Sequence, residues 1–254
     1  MTVKIGWFNM QESEEVARLE GYALSPFLQF EPERYKITQQ AYPGRWKFST
    51  CPAVINFYKN IFILKSPVSV DLKIVEINPG MYELQPEKPE NYDLAPPVWN
   101  RLFDFIGNVG VEGAVPTLQL RNGMTFVADE PCTIQLLPAF NHKNDIPGDV
   151  ICGEFDIHAW QRSVQYSLAW KDTDKPLRIK RGDPLFYVKI VVHKDPTEKV
   201  ELVKLKSNPQ LLKAIFRTQG VPGYIRNVFQ LFDVARKMRP KKFITEENTW
   251  KPGD

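Results

Sequence analysis

Apolar and polar residues alternate in a series of short runs across residues 116–192, and this rhythm constrains the chain more than any other feature. The runs cover 117–121, 132–136, 152–157, 166–170, 177–180 and 185–192. A period of two sends one side of each run to a core and the other to water. Between the runs stand turn formers: Asn122-Gly123, Asp129-Glu130-Pro131, residues 144–148, residues 171–176 and Arg181-Gly182-Asp183-Pro184. The pattern predicts a mainly β fold, a β-sandwich or jelly roll. Such folds host binding proteins and enzymes alike, so architecture alone chooses no function.

The flanks extend this reading. Residues 3–8, 53–58, 62–65, 68–77 and 200–205 read as further strands, with Lys59-Asn60 as a turn. Residues 12–23 read as a short helix, and 98–106 as one or two helical turns. Residues 78–97 form a Pro-rich excursion, long for a loop and suited to contact. After 205 the period changes. Asn208-Pro209 reads as a helix start, with Leu211, Leu212, Ile215 and Phe216 at helical spacing. Gly220 and Gly223 bound that helix. A second places Tyr224, Val228, Leu231, Phe232 and Ala235 on one face and stops at Pro240. The tail from 241 is polar apart from Phe243, Ile244 and Trp250, and reads as loose unless something holds it. The division is thus a β-sandwich domain over 1–205 and a basic helical extension over 206–254.

Charge is nearly balanced, 33 basic against 30 acidic residues, which argues against a nucleic-acid partner over the whole surface. It is unevenly placed, however. Residues 206–254 carry ten Lys or Arg against four Asp or Glu, so nucleic acid would be met only through that end. Cys51, Cys132 and Cys152 are odd in number and widely spaced. They form no Cys-x-x-Cys pair, as a structural zinc site would need, and no disulfide framework. The first residues lack the apolar run of a signal peptide, and no segment has the length of a membrane span. A protein of the reducing cytoplasm is the expectation.

Motifs of phosphate-loop, dinucleotide, Gly-x-Ser-x-Gly and zincin enzymes do not occur, and no cofactor is implied by motif. Attention falls on the three histidines. His193-Lys194-Asp195 has the proximal spacing of a facial iron triad, but no histidine follows to close it. His142 lies among turn formers after a strand. His158 follows Glu154-Phe155-Asp156-Ile157, so alternation puts Glu154, Asp156 and His158 on one strand face. That row is the sharpest local constellation and the weak catalytic candidate. His142, His158 and Asp156 are the corresponding metal candidates. The commoner reading of such a row is the solvent face of an edge strand, with Phe155, Ile157 and Ala159 inward. Cys51 would be a nucleophile only if a histidine approached it.

Two resemblances add to this. Residues 148–192, with Leu177-Arg178-Ile179-Lys180-Arg181-Gly182-Asp183-Pro184-Leu185 feeding a last strand, resemble the layout of the dUTPase and dCTP-deaminase group. The strand glutamine of that group is missing from Phe186-Tyr187-Val188-Lys189, as is its Asp-x-x-Tyr-x-Gly pattern near Gly148. Cys51-Pro52-Ala53, residues 64–70, Trp170-Lys171-Asp172-Thr173 and Arg181-Gly182-Asp183-Pro184 resemble an uncharacterised family of small β-proteins of bacteria and tailed phages, including phages of cyanobacteria. The resemblance implies a β fold and a phage setting. The family has no established activity to carry over.

The expectation is a non-catalytic binding or assembly protein. It would self-associate or meet another protein through the C-terminal helices, with Tyr224, Phe229, Phe232, Arg236, Lys237 and Arg239 at the contact. The alternative is a jelly-roll enzyme, metal-dependent or nucleotide-directed.

Overall fold

The computed structural model describes residues 2–10, 30–36, 51–88, 102–107, 115–142, 145–219 and 227–251. Among them the chain is mainly β, with fourteen strands and three helices. The strands are β1 (Thr2–Asn9), β2 (Glu33–Arg34), β3 (Ile61–Lys65), β4 (Val70–Asn78), β5 (Met81–Pro86), β6 (Phe103–Ile106) and β7 (Thr117–Ala128). They continue as β8 (Cys132–Pro138), β9 (Gly148–Val150), β10 (Gly153–Asp156), β11 (Ser163–Trp170), β12 (Leu177–Ile179), β13 (Pro184–Val192) and β14 (Lys199–Lys204). The helices are α1 (Pro52–Tyr58), α2 (Pro209–Gln219) and α3 (Val228–Met238).

The first sheet runs β14-β1-β7-β11-β9, with β6 also on β7; the second runs β10-β8-β13-β3-β2. A third, smaller sheet is β12-β4-β5. The β1–β14 pair is parallel and the others are antiparallel. One core joins all three. Ile5, Phe126 and Leu168 of the first sheet meet Phe62, Ile134 and Val188 of the second and Leu72 and Ile179 of the third. Two continuous apolar runs, Phe126-Val127-Ala128 and Phe186-Tyr187-Val188, break the alternation because each sheet also buries part of its outer face.

The outer face of the first sheet, with Phe8 and Val127, is covered by Leu211, Leu212 and Ile215 of α2 and by Phe243. Asn208 caps α2, its Oδ1 accepting the Leu211 N–H at 2.8 Å. The outer face of the second sheet carries Ile61, Ile63, Ala139 and Tyr187, with Tyr35, Tyr58 and Leu137 packed on them.

Several expectations are corrected here. Residues 53–58 are helical, not extended: Pro52 opens α1, and the Ile55 N–H reaches the Cys51 carbonyl at 2.9 Å. No residue of α1 is fully buried, so its β-branched composition was not tied to a sheet. Residues 81–86 of the supposed excursion form β5, and 103–106 pair with β7 as β6 rather than turning helically. Asn122-Gly123 does not end a strand. β7 passes through it with Gly123 at φ 69°, and the Asn122 side chain takes the Met124 N–H at 3.1 Å. The tail is held, not loose. The Phe243 and Ile244 N–H groups donate to Asp129 at 2.6 and 3.2 Å, and Trp250 N–H to the Lys204 carbonyl at 3.0 Å. Residues 12–23, 89–97 and Tyr224 lie outside the described residues.

Candidate functional site

The row Glu154, Asp156 and His158 does not stay on one strand. β10 ends at Asp156, whose Oδ1 accepts the N–H groups of His158 and Ala159 at 2.8 and 2.9 Å, turning the chain. Glu154 remains on the strand and accepts a hydrogen bond from Gln135 Nε2 at 2.7 Å. Phe155 packs on the core and Ile157 and Ala159 are buried, as the alternation required.

The turn is met by the C-terminal helix. Arg239 Nη1 donates to His158 Nε2 at 2.7 Å, and its Nη2 to the Ala128 carbonyl at 3.2 Å. That nitrogen also lies 3.8 Å from Asp129, and the guanidinium stacks 5.1 Å from the Phe243 ring centre. Arg236 pairs with Asp156 at 3.6 Å, and Phe232 meets Trp160 edge to face at 6.0 Å. Burial and then the Arg239 charge hold His158 below its ordinary pKa, while Asp156 pulls the other way. A neutral His158 accepting at Nε2 carries its proton on Nδ1. Two of the acid–base candidates, Asp156 and His158, thus meet two of the partner candidates, Arg236 and Arg239, inside one chain. This is a clamp between the C-terminal helix and the β sheets, in which Phe232 and Arg239 are half-buried and Arg236 stays exposed. Lys237 is exposed, and the Phe229 side chain lies outside the described residues.

His142 sits elsewhere, on the outer face of the second sheet, where its Nδ1 lies 2.7 Å from the Tyr187 hydroxyl. His142, His158 and Asp156 therefore do not converge. Among the described residues no three His, Cys, Asp or Glu are grouped to hold a metal ion. His193 follows the end of β13, exposed, with Nε2 2.5 Å from Thr133 Oγ1. Cys51 precedes α1 with no histidine contact among the described residues.

What sequence reasoning missed is the surface around His142. Tyr35 and Tyr58 stack with ring centres 5.0 Å apart, and the Asn141 amide donates to both hydroxyls at 2.8 Å. Tyr187 lies beneath, its hydroxyl pushed up to about 12 by burial and neighbouring phenols. Around this half-buried frame stand three exposed apolar side chains: Ile55 at 48%, Phe57 at 42% and Phe140 at 43%. Phe57 and Phe140 lie 5.8 Å apart, and Lys189 Nζ sits 4.6 Å from the Phe57 ring centre.

Beside them opens a cleft of about 580 Å³ lined by Arg34, Tyr35, Ile55, Tyr58, Lys59 and Lys199 among others, with no acidic residue. Arg34 is fixed by the Val200 carbonyl and stacks 4.8 Å from the Phe62 ring centre. Among the described residues no carboxylate lies within ion-pair distance of Arg34, Lys59, Lys189 or Lys199. A second cleft, about 520 Å³ between β1 and the C-terminal tail, mixes Lys4, Lys194 and Lys251 with Glu130, Glu198 and Glu246. Its charges offset one another, whereas the first cleft has a single sign. These cations come from β2, the α1–β3 turn, β13 and β14, so no linear charge run announced them. The Phe140-Asn141-His142 loop was the one visible signal. No described helix is long and apolar enough to cross a membrane. The chain matches no known family model and no curated protein.

Proposed function

We propose that the chain is a non-catalytic binding protein that meets its partner through the outer face of the second sheet. The observation carrying this reading is the pair Phe57 and Phe140, exposed and 5.8 Å apart on a tyrosine frame, with Ile55 exposed on the same helix as Phe57. Contiguous large apolar side chains rimmed by polar groups mark interaction surfaces. The rim here is basic: Arg34, Lys59, Lys189 and Lys199. Two facts support the absence of catalysis. Asp156 and His158 of the sharpest ionisable row are engaged in the α3 clamp, and the phenol beside His142 is harder, not easier, to ionise. Self-association through the C-terminal helices has less to rest on, because α2, Phe232, Arg236 and Arg239 pack on the chain itself. The likeness to β-proteins of bacteria and tailed phages makes a phage setting part of the same proposal.

The test is site-specific photocrosslinking in cells expressing the full chain. A benzophenone side chain at position 57 or 140 should trap the same species, and one at exposed position 180 should not. Adducts no more frequent at 57 and 140 than at 180 overturn the reading.

A further inference from the structure

The binding face carries two chemistries at once, and few ligands satisfy both. Its exposed rings, Phe57 and Phe140, are tilted 48° to each other, so each offers a plane in its own direction rather than one slot. Lys189 occupies one side of Phe57. The adjoining cleft adds Arg34, Lys59 and Lys199 to a stacked tyrosine pair and contributes no acid. An acidic protein segment would answer the cations but leave the flat rings to be covered by chance. A second copy of this face would bring like charges together. A chain of planar groups joined by anions answers both, and base stacking on aromatic platforms beside a basic groove is how single strands are held without sequence preference.

We propose, resting on the reading of this face as the binding surface, that its ligand is single-stranded nucleic acid. Bases stack on Phe57 and Phe140, and phosphates lie along Lys59, Lys199 and the free edge of Arg34. A duplex keeps its bases inside and cannot use the rings. Part of the positive charge at the C-terminal end is already spent, since Arg236 and Arg239 are engaged with Asp156, Asp129 and the Ala128 carbonyl.

The experiment is fluorescence anisotropy of the full chain with a short labelled oligothymidylate over a series of salt concentrations. Parent protein should bind at low salt and weaken as salt rises. Phe57→Ala and Phe140→Ala should each weaken binding about tenfold, the scale of one missing stacking platform. The double variant Lys59→Glu/Lys199→Glu should flatten the log–log salt slope by about 0.7 for each phosphate that goes unneutralised. Lys180→Glu, at an exposed turn after β12, should bind as the parent does. Duplex DNA, thymidine monophosphate and polyglutamate should compete poorly. The lysine variant keeps the test open should a ring variant misfold, because those side chains support no part of the core.

No binding at low salt overturns the proposal. So does binding indifferent to the ring and lysine variants, or equal competition by polyglutamate or by the mononucleotide. Crosslinked adducts at 57 and 140 that resist nuclease would overturn the nucleic-acid ligand and leave the binding face standing.

Discussion

Replacing Arg239 with alanine tests the clamp that joins α3 to the sandwich. The guanidinium makes two hydrogen bonds, to His158 Nε2 at 2.7 Å and to the Ala128 carbonyl at 3.2 Å, and its side chain is only 11% exposed. Bonds of this charged kind contribute about 1.5–3 kcal/mol each, so an upper figure is about 6 kcal/mol. One further term brings it down and another adds a little. The Arg239 Nε N–H is buried without an acceptor, which costs the native state about 1–3 kcal/mol. The pair with Asp129, at 3.8 Å and with a partner still wet, adds under about 1 kcal/mol. The expected loss is about 2 kcal/mol, a large share of the about 5–15 kcal/mol that holds a domain folded.

The same variant has a pH signature. His158 titrates below its ordinary pKa of about 6.5 in the folded state, and the unfolded chain restores that value. Stability is therefore whole above that pH and falls as the pH drops through it toward the folded value, because the unfolded chain takes the proton first. Removing Arg239 removes the second-largest cause of the shift and leaves Asp156, which favours the charged ring. The acid-side loss should shrink. Urea titrations followed by tryptophan fluorescence at neutral and mildly acid pH measure both effects, with Trp160 against Phe232 as a nearby reporter. A loss under about 0.5 kcal/mol, within the usual range of neutral surface changes, or an unchanged acid-side slope, would refute the clamp.

Three further outcomes follow from single positions. Asn60→Ala should cost about 2–4 kcal/mol by urea titration, since it strips partners from the Val200 N–H and the Glu198 carbonyl on the outer edge of β14. Gly123→Ala should cost about 1–2 kcal/mol, measured the same way, because φ there is 69°. Thiol titration of native protein should find Cys51 and Cys152 reactive. Cys132, buried with its thiol pushed up to about 12, should react only on unfolding.

The period-two rhythm placed β8, β10, β11, β12, β13 and the first part of β7, because a half-buried strand writes its two faces into alternate residues. It failed where local chemistry outweighed pattern. Ala53-Val54-Ile55 has β-branched strand character, but Pro52 in the first turn and the absence of a neighbouring strand let α1 form. Asn122-Gly123 is a hairpin signal by composition. In place, Asn9 Nδ2 holds the Asn122 carbonyl at 2.8 Å, and a positive φ at Gly123 alone bends β7 without reversing it. The site was less legible than the fold. His158 and Arg239 are 81 residues apart, a separation that no linear motif spans. The cations Arg34, Lys59, Lys189 and Lys199 are far apart in the sequence and gather only when β2, the α1–β3 turn, β13 and β14 are assembled.

That assembly also explains why the two outer faces differ. Both sheets carry apolar residues on the side away from the core, and such residues must be covered. The first sheet is covered by the chain's own C-terminal segment, where α2 and Phe243 close over Phe8 and Val127. Asp129 binds the tail backbone, and Arg239 binds the turn at His158. Among the described residues the second sheet receives α1, which has no fully buried residue, and the Phe140 loop. Tyr35, Tyr58 and Tyr187 bury Ile61 and Ile63, but Ile55, Phe57 and Phe140 stay at the surface above them. Misfolding does not account for so ordered an arrangement, since the phenols are tied through Asn141 and His142. A rigid frame that holds apolar rings in water loses stability by doing so. The ligand proposed for this face would restore it by covering those rings.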